Sequence, residues 1–476
     1  MDSTEKNIDK YTAVLVAQYL KKQGYNETLK SFLRETSIPV SVTANDDNSN
    51  SNTHIDDLKS IISDRISYND YILDSKLKDL TLNEQLPPID YDRFHIKRWN
   101  FDSTFDNFKS HTLDGIPIKV NFCDNNSNDI IISTSSRQLK IFDNNLQILS
   151  ELTDQNMKSI GVVKLTGSIP GSNMLYACSM SGNIYLFDKD YRLIPGSSFK
   201  PHGRMITHIQ FLKMNDNESW YVLTASMDNT MHLSILRIKD EMPTLTITST
   251  VKLLSACTTL NMAKTTLNID NKAVTKPVIF LTRMDFTHIV CYTLDNSNIL
   301  QNCFNIALNN AQFSTHSFTI RDMVLINGNS DAAIDGSTII NSGTLIGVAT
   351  SHIPFLRLIL LEFPKMEKYF REINDIEKEN SGITTHYDKV LRNIATQIPQ
   401  DSYSQPIMRY MSNSNGMIIG SDSGVYAIDL FNGESWPLDM HCDINKQRIT
   451  SMNVDSSNST LLIGTASKSF HLYKLT

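Results

Sequence analysis

Residues 220–236 read WYVLTASMDNTMHLSIL, and this stretch shows the unit from which most of the chain is built. An apolar run ends in the small residues Ala225 and Ser226, and turn-forming residues follow at Asp228 and Asn229. The next run alternates apolar and polar residues, which is the period of a strand with one buried face. The stretch therefore predicts a strand ending in small residues, a tight turn and a further strand.

The same order recurs from about residue 90 onward, with phrases such as CSMSGNIYLFD (178–188) and GSDSGVYAID (420–429). Short β-rich runs separated by Asn, Asp, Ser and Gly are typical of an all-β fold. About seven units can be delimited: 116–149, 161–194, 201–238, 258–300, 317–363, 405–438 and 448–476.

These phrases resemble the WD repeat, whose pattern is small-Ser-x-Asp-x-x-hydrophobic-x-hydrophobic-Trp-Asp. The resemblance implies a mainly β fold, a seven-bladed WD-repeat β-propeller, with eight blades as the alternative. The repeats are degenerate, because other pairs replace Trp-Asp: Phe142-Asp143, Phe187-Asp188 and Ile428-Asp429.

The resemblance also implies a hydrogen-bonded network inside one blade. Asp228 would lie in the tight turn and His202 in the loop that enters the blade, bonded to each other under a Ser or Thr and a Trp. Ser234 occupies the Trp position, so the network is expected to be incomplete. The alternative is that His202 is an exposed loop residue.

The last unit ends in its third strand, FHLYKL (470–475). A four-stranded blade then needs an outer strand from before the first unit, and residues 93–100 or 104–113 could supply it. Either choice would join the two ends of the propeller.

The segment 8–36 (IDKYTAVLVAQYLKKQGYNETLKSFLRET) has apolar residues at helical spacing. Gly24 is expected to end a first helix, and a second helix is expected to begin near Asn26. A hairpin of about 30 residues cannot bury both apolar stripes alone, so self-association is the expected solution.

This segment resembles the LisH motif, Leu…Tyr-Leu-x-x-x-Gly-Tyr-x-x-Thr-x-x-x-Phe-x-x-Glu. The resemblance implies a small all-α module that forms a homodimer, or a tetramer. The alternative is an ordinary hairpin packed on the propeller. The candidate dimerisation residues are Leu15, Tyr19, Leu20, Gly24, Tyr25, Thr28, Phe32 and Leu33.

Three further segments complete the domain organisation. Residues 37–54 are rich in Asn, Ser and Asp and predict a flexible linker, whereas 55–86 carry apolar residues at helical spacing and predict a helical extension. The propeller is expected over 90–476, with a polar insertion at about 326–343 and a helical one at about 364–397.

Composition narrows the classes of protein to which this sequence is expected to belong. The sequence has 44 Lys and Arg against 51 Asp and Glu, a net charge of −7, so direct binding of nucleic acid is not expected. The six cysteines show no zinc or disulfide spacing and are expected to be small buried hydrophobes. With no apparent secretory signal or membrane span, we expect a cytoplasmic or nuclear protein.

No phosphate-binding, metalloprotease or hydrolase motif is found, so we expect no catalytic residue, metal, cofactor or small-molecule substrate. The expected function is a dimeric, non-catalytic scaffold that binds other proteins through its propeller. By analogy of architecture it would be a subunit of a ubiquitin ligase or a transcriptional corepressor. The alternatives are an RNA-processing or other nucleic-acid-associated complex factor, and a dynein or microtubule regulator.

Overall fold

The computed structural model describes residues 2–36, residues 58, 61–62 and 65–66, and most of 92–475. Within 92–475 the undescribed positions are 95, 102–103, 124–128, 153–160, 217, 240–241, 270–271, 310–317, 327–337, 342, 367–368, 370–382, 441–443 and 445. The expected linker at 37–54 and most of the expected extension at 55–86 lie outside the described residues. Within that extension, residues 58, 61–62 and 65–66 are helical.

Two helices form the N-terminal hairpin, α1 (Asp2–Lys22) and α2 (Asn26–Thr36). Gly24 ends α1 as expected, with φ at +77°. Its N–H donates to the Lys21 carbonyl at 3.1 Å, and the N–H of Tyr25 donates to the Leu20 carbonyl at 3.0 Å. These two bonds form a Schellman motif, which satisfies carbonyls that the helix end leaves open.

The rest of the described chain is built of strands. The first five are β1 (Phe105–Thr112), β2 (Pro117–Phe122), β3 (Ile130–Thr134), β4 (Leu139–Phe142) and β5 (Ile148–Glu151). The next seven are β6 (Val163–Ser168), β7 (Leu175–Ser179), β8 (Ile184–Phe187), β9 (Ile206–Lys213), β10 (Ser219–Ser226), β11 (Thr230–Lys239) and β12 (Met242–Lys252).

The middle of the chain supplies β13 (Cys257–Ile269), β14 (Lys272–Arg283), β15 (His288–Leu294), β16 (Leu300–Ala307), β17 (Ile320–Ile326), β18 (Ile339–Ile340), β19 (Leu345–Thr350), β20 (Phe355–Glu362), β21 (Thr384–His386) and β22 (Val390–Pro399). The last seven strands are β23 (Ile407–Met411), β24 (Gly416–Ser421), β25 (Gly424–Asp429), β26 (Ser435–Pro437), β27 (Ile449–Val454), β28 (Thr460–Thr465) and β29 (Ser469–Leu475).

The described strands form seven sheets. In chain order the sheets are β2–β5, β6–β8, β9–β12, β13–β16 with β18 and β21 at its edges, β17 with β19, β20 and β22, β23–β26, and β27–β29 with β1. We number them first to seventh in that order. The blade number itself stays a prediction, because this count covers only the described residues.

The sheets form a closed ring. Their inner strands β2, β6, β9, β13, β17, β23 and β27 each contact the next in sequence, and β27 contacts β2. The apolar core lies between neighbouring sheets; for example, the Phe142 and Phe470 rings join the first and seventh sheets with centroids 4.9 Å apart. This ring is a β-propeller, as the repeats predict.

The ring is closed by β1, which pairs antiparallel with β29 from Phe105–Leu475 to Thr112–Ser469. Of the two segments expected to supply this strand, 104–113 is therefore confirmed. The other choice, 93–100, is wrong because it packs across the sixth sheet. There Trp99 is buried against Gly416, where a Cβ atom would lie 2.2 Å from the indole.

The expected helical insertion at 364–397 is wrong in its second half, which forms β21 and β22. In β22 the residues Ile394, Thr396 and Ile398 are buried and alternate with exposed ones, a period of two. This strand is the outer strand of the fifth sheet. In the other expected insertion, 326–343, residues 327–337 lie outside the described residues and Ile339–Ile340 pairs with β13.

Candidate functional site

The candidate dimerisation residues lie on a hairpin that is partly covered within one chain. Ala17, Leu29 and Leu33 form a small cluster, against which Leu20 and Phe32 pack. The eight candidates divide into buried (Leu15, Leu33), half-buried (Tyr19, Leu20, Phe32) and exposed (Gly24, Tyr25, Thr28). The hairpin thus buries more of its own stripe than its length suggests, and the exposed part is smaller than expected.

Apolar surface nevertheless remains around the helices. Tyr25 has 55% of its surface exposed, and the described helical residues Ile61, Ile62 and Ile66 have 40%, 49% and 55% exposed. Large apolar side chains on a helical segment are seldom left so open unless another surface covers them. These residues are therefore the apolar surface that a second copy of the chain could cover.

The structure brings His202 and Asp228 together in the third sheet. His202 Nδ1 lies 3.2 Å from Asp228 Oδ2 and 3.1 Å from Thr230 Oγ1, and His202 Nε2 lies 2.8 Å from Thr224 Oγ1. Because a carboxylate only accepts, Nδ1 carries the proton and Nε2 accepts from the Thr224 hydroxyl. The network ties the loop before β9 to β10 and to the turn before β11.

Ser234, at the position where the resemblance places a Trp, takes no part in this network. Its hydroxyl is buried without a hydrogen-bond partner among the described residues. Instead the His232 ring stacks on His202, with centroids 4.2 Å apart. The sequence analysis missed His232, although the alternation of β11 puts positions 232 and 234 on one face of the strand.

The Thr224–His202–Asp228 order is that of a nucleophile, base and carboxylate, yet its surroundings do not suit catalysis. Thr224 is 1% exposed and His202 is 3% exposed, so no substrate atom can approach the hydroxyl. Burial, followed by the charge of His232, lowers the pKa of His202 to about 4, so the ring is neutral at pH 7. The network therefore holds the blade together.

One face of the ring carries a repeated backbone link. In six sheets the first residue of the turn between the second and third strands donates its N–H to the loop before the inner strand, with N···O distances of 2.8–3.0 Å. This link gives the six turn positions the same place in each sheet: Ser135, Met180, Met227, Met284, Ser351 and Ala466.

Methionine occupies this position in three consecutive sheets, the second to the fourth. Met180, Met227 and Met284 have 47%, 51% and 46% of their surface exposed. Leu254, 55% exposed, lies in the loop between the third and fourth sheets, at the same face. We call these four residues the methionine arc. Exposed methionines suit binding to a protein surface, because their unbranched side chains adapt to its shape.

The described part of the chain can also be assessed for metal ligands, membrane-spanning helices and cysteines. There, no cluster of three or more His, Cys, Asp or Glu side chains is placed to hold a metal ion. None of the described helices is long and apolar enough to cross a membrane. Five cysteines are free and buried, as expected, and burial raises the pKa of Cys303 to about 12; Cys442 lies outside the described residues.

Comparison with known proteins gives matches along almost the whole chain. The family described as UCP007778, beta-propeller domain, matches residues 80–474, and its LisH domain matches residues 10–44. A Saccharomyces cerevisiae protein named "Uncharacterized protein YGR117C" is 37% identical over 474 residues. That alignment covers 97% of this chain and 96% of the yeast chain.

Proposed function

Because this chain belongs to the UCP007778 family, which joins a LisH domain to a β-propeller, we propose that it is a protein-interaction scaffold. Two copies associate through the N-terminal helices, and each propeller binds a protein partner on the face that carries the methionine arc. Two linked sites give a bivalent particle, whose avidity exceeds the affinity of one site by about 10²–10⁴.

The methionine arc is the observation that supports binding to a protein. Its three methionines occupy equivalent positions in adjacent sheets, so they lie exposed on the same face of the ring. Leu254 lies on that face in the loop between the third and fourth sheets. Burying such residues under a partner gains roughly 25 cal/mol for each Å² of apolar surface removed from water.

Replacement of the three methionines of the methionine arc by glutamate tests this proposal. We expect the triple variant Met180→Glu, Met227→Glu, Met284→Glu to lose its protein partners in affinity purification from the source cells, because a partner cannot bury three carboxylates. Met242→Glu is the matched control, since Met242 is 57% exposed and begins β12 at the opposite face. Equal recovery of partners by both variants would contradict the arc as the binding surface.

Dimerisation is supported by the exposed Tyr25 and by Ile61, Ile62 and Ile66. Light scattering of the full chain is expected to give about twice the chain mass of 53.9 kDa, and removal of residues 1–36 is expected to give the monomer. Tyr25→Glu is expected to weaken the dimer, whereas Ser31→Glu, an exposed position on the same hairpin outside the candidate dimerisation residues, serves as a control for added charge. A full chain that is monomeric at micromolar concentration would refute this part of the proposal.

The complex that this scaffold serves is proposed from architecture alone. We propose a ubiquitin-ligase or transcriptional-corepressor type of assembly, because a dimeric propeller suits the recruitment of another protein. The alternatives are an RNA-processing factor and a dynein regulator. The identity of the partners lost by the triple variant distinguishes these, and any affinity for RNA should fall steeply with salt.

A further inference from the structure

Titratable side chains lie around the centre of the propeller, on its inner strands, and the proposed scaffold role does not use them. The inner strands surround this centre, and five of them place a titratable side chain at their second or third residue. These side chains are Lys119 (β2), Lys164 (β6), His208 (β9), Asp322 (β17) and Arg409 (β23). They lie near the ends of the inner strands that adjoin the face with the methionine arc. We call them the channel ring.

The members of the channel ring interact electrostatically across the channel. Burial, together with the charges of Arg409 and Lys164 and against the opposing charge of Asp322, lowers the pKa of Lys119 to about 8. Burial also lowers the pKa of His208 to about 4, with Lys119 and Lys164 contributing. Groups on five different sheets therefore share one region of low dielectric.

The carboxylate of the channel ring, Asp322, already has hydrogen-bond partners. Asp322 accepts the N–H of Met323 at 2.9 Å and the N–H of Met408 at 2.7 Å. Burial raises the pKa of Asp322, and the charge of Arg409 on the adjacent inner strand, the two N–H bonds and the charge of Lys119 oppose this shift. Asp322 links the fifth and sixth sheets through the N–H of Met408, and its carboxylate does not bond to the lysines.

Among the described residues, the side-chain ammonium groups of Lys119 and Lys164 make no hydrogen bond and no ion pair. Protein surrounds both side chains, yet each retains some accessible surface, so a small solute can reach it. A buried ammonium group without a partner costs free energy, which a bound anion would recover.

We propose that the channel ring binds a small phosphate-class anion between Lys119, Lys164 and Arg409. Three basic side chains face one carboxyl group, and His208, whose pKa burial lowers to about 4, is neutral at pH 7, so basic groups outnumber acidic ones in the channel ring and favour an anion. Two ammonium groups and one guanidinium supply enough N–H donors for the oxygens of such an anion.

A layer of side-chain amides lies further along the channel than the two lysines. Side-chain amides there link neighbouring inner strands: Asn121 donates to the Thr166 carbonyl at 3.0 Å, Gln210 to Leu260 at 3.2 Å and Asn261 to Met323 at 3.0 Å. Asn453 donates to Asn121 and links the seventh sheet to the first. These amides bond to neighbouring inner strands, so the lysines lie on the methionine-arc side of them.

Calorimetric titration of the full chain with inorganic phosphate and with pyrophosphate, in chloride buffer of matched ionic strength at pH 7, tests the site. We expect saturable binding to the wild type. The double variant Lys119→Met, Lys164→Met should bind at least tenfold more weakly, whereas Lys252→Met, an exposed lysine on the outer strand β12, should bind like the wild type.

The folded state of each variant is checked by circular dichroism, and Lys119→Gln alone serves if the double variant does not fold. Failure of the folded wild type to bind either probe would overturn the proposal, as would unchanged affinity in the lysine variants. Loss of a protein partner on Lys119→Gln without anion binding would also overturn it, in favour of an acidic side chain of that partner.

This site is independent of the scaffold role. The neutral arc variant Met180→Ser, Met227→Ser, Met284→Ser keeps every channel-ring residue, adds no charge to this face and is expected to bind phosphate normally. Anion binding by that variant therefore separates a failure of the channel site from a failure of partner binding.

Discussion

The imidazole of His202 stacks on that of His232, with 4.2 Å between the ring centroids and 16° between the ring planes. The first ring comes from the loop before β9 and the second from β11, so the contact spans the third sheet. His232 thus covers the His202 network with a flat ring, whereas the resemblance to the WD repeat places an aromatic ring at position 234.

Removal of the first ring should destabilise the propeller. We expect His202→Ala to lower the free energy of unfolding by about 2–3 kcal/mol, because it breaks the bond to Asp228 and leaves the buried Thr224 hydroxyl with only a long contact of 3.5 Å to the His232 carbonyl. Urea denaturation measures the change. Arg204→Ala, an exposed position in the same loop, is the control, and equal midpoints for the two variants would show that the network adds no stability.

The same histidine, His202, should make the free energy of unfolding fall as the pH becomes acidic. Its pKa is about 4 in the folded chain and about 6.5 when unfolded, so the unfolded state binds the proton more tightly. Stability is therefore fully present above pH 6.5 and is lost as pH falls toward 4. The difference between the wild type and His202→Ala should shrink over that interval, and a constant difference in urea denaturation from pH 7 to 4.5 would contradict it.

Lys119 should make the free energy of unfolding depend on pH in the alkaline range. Its folded pKa of about 8 lies below the usual 10.5, so the cost of its buried charge is full below pH 8 and fades as pH rises to 10.5. In phosphate-free buffer, Lys119→Met is expected to stabilise the chain at pH 7 by about 1–3 kcal/mol, since water in the channel screens part of the cost. Thermal unfolding of both chains from pH 7 to 10.5 checks whether this gain disappears.

Closure of the ring should depend on Phe108 in β1. Its ring lies 5.5 Å from that of His471 and 5.2 Å from that of Tyr473, both in β29. Phe108→Ala is expected to cost about 2 kcal/mol, because the side chain is half-buried.

Phe101→Ala is the matched control, because Phe101 is 68% exposed and packs only on Trp436 among the described aromatic rings. It should cost less than about 1 kcal/mol in the same urea denaturation. If both variants unfold at the same denaturant concentration, the contact of Phe108 with β29 does not stabilise the closure.

The sequence predicted the features that depend on short-range patterns. The alternation in 220–236, the helix end at Gly24 and the missing fourth strand of the last unit each follow from neighbouring residues, and the structure confirms them. The helical expectation over 364–397 is wrong where it overlaps β22, because Ile394, Thr396 and Ile398 alternate with exposed residues as in a strand.

The channel ring could not be found in this way. A single lysine in a β-rich run, such as Lys119 in IKVNF, also suits a solvated strand edge. Only closure of the ring brings Lys119 next to Arg409, 290 positions further along the chain. The methionine arc gave a clearer signal, since Met180 and Met227 each follow a serine at the end of a strand.

Pairing of β1 with β29 also bears on how the protein is made. The ribosome releases β1 before the other described strands and β29 after them, so β1 waits unpaired while the other sheets form. A chain that stops before β29 leaves open strand edges on both sides of the gap, and such edges aggregate or attract chaperones. Truncated products are thus distinguished from chains that include β29.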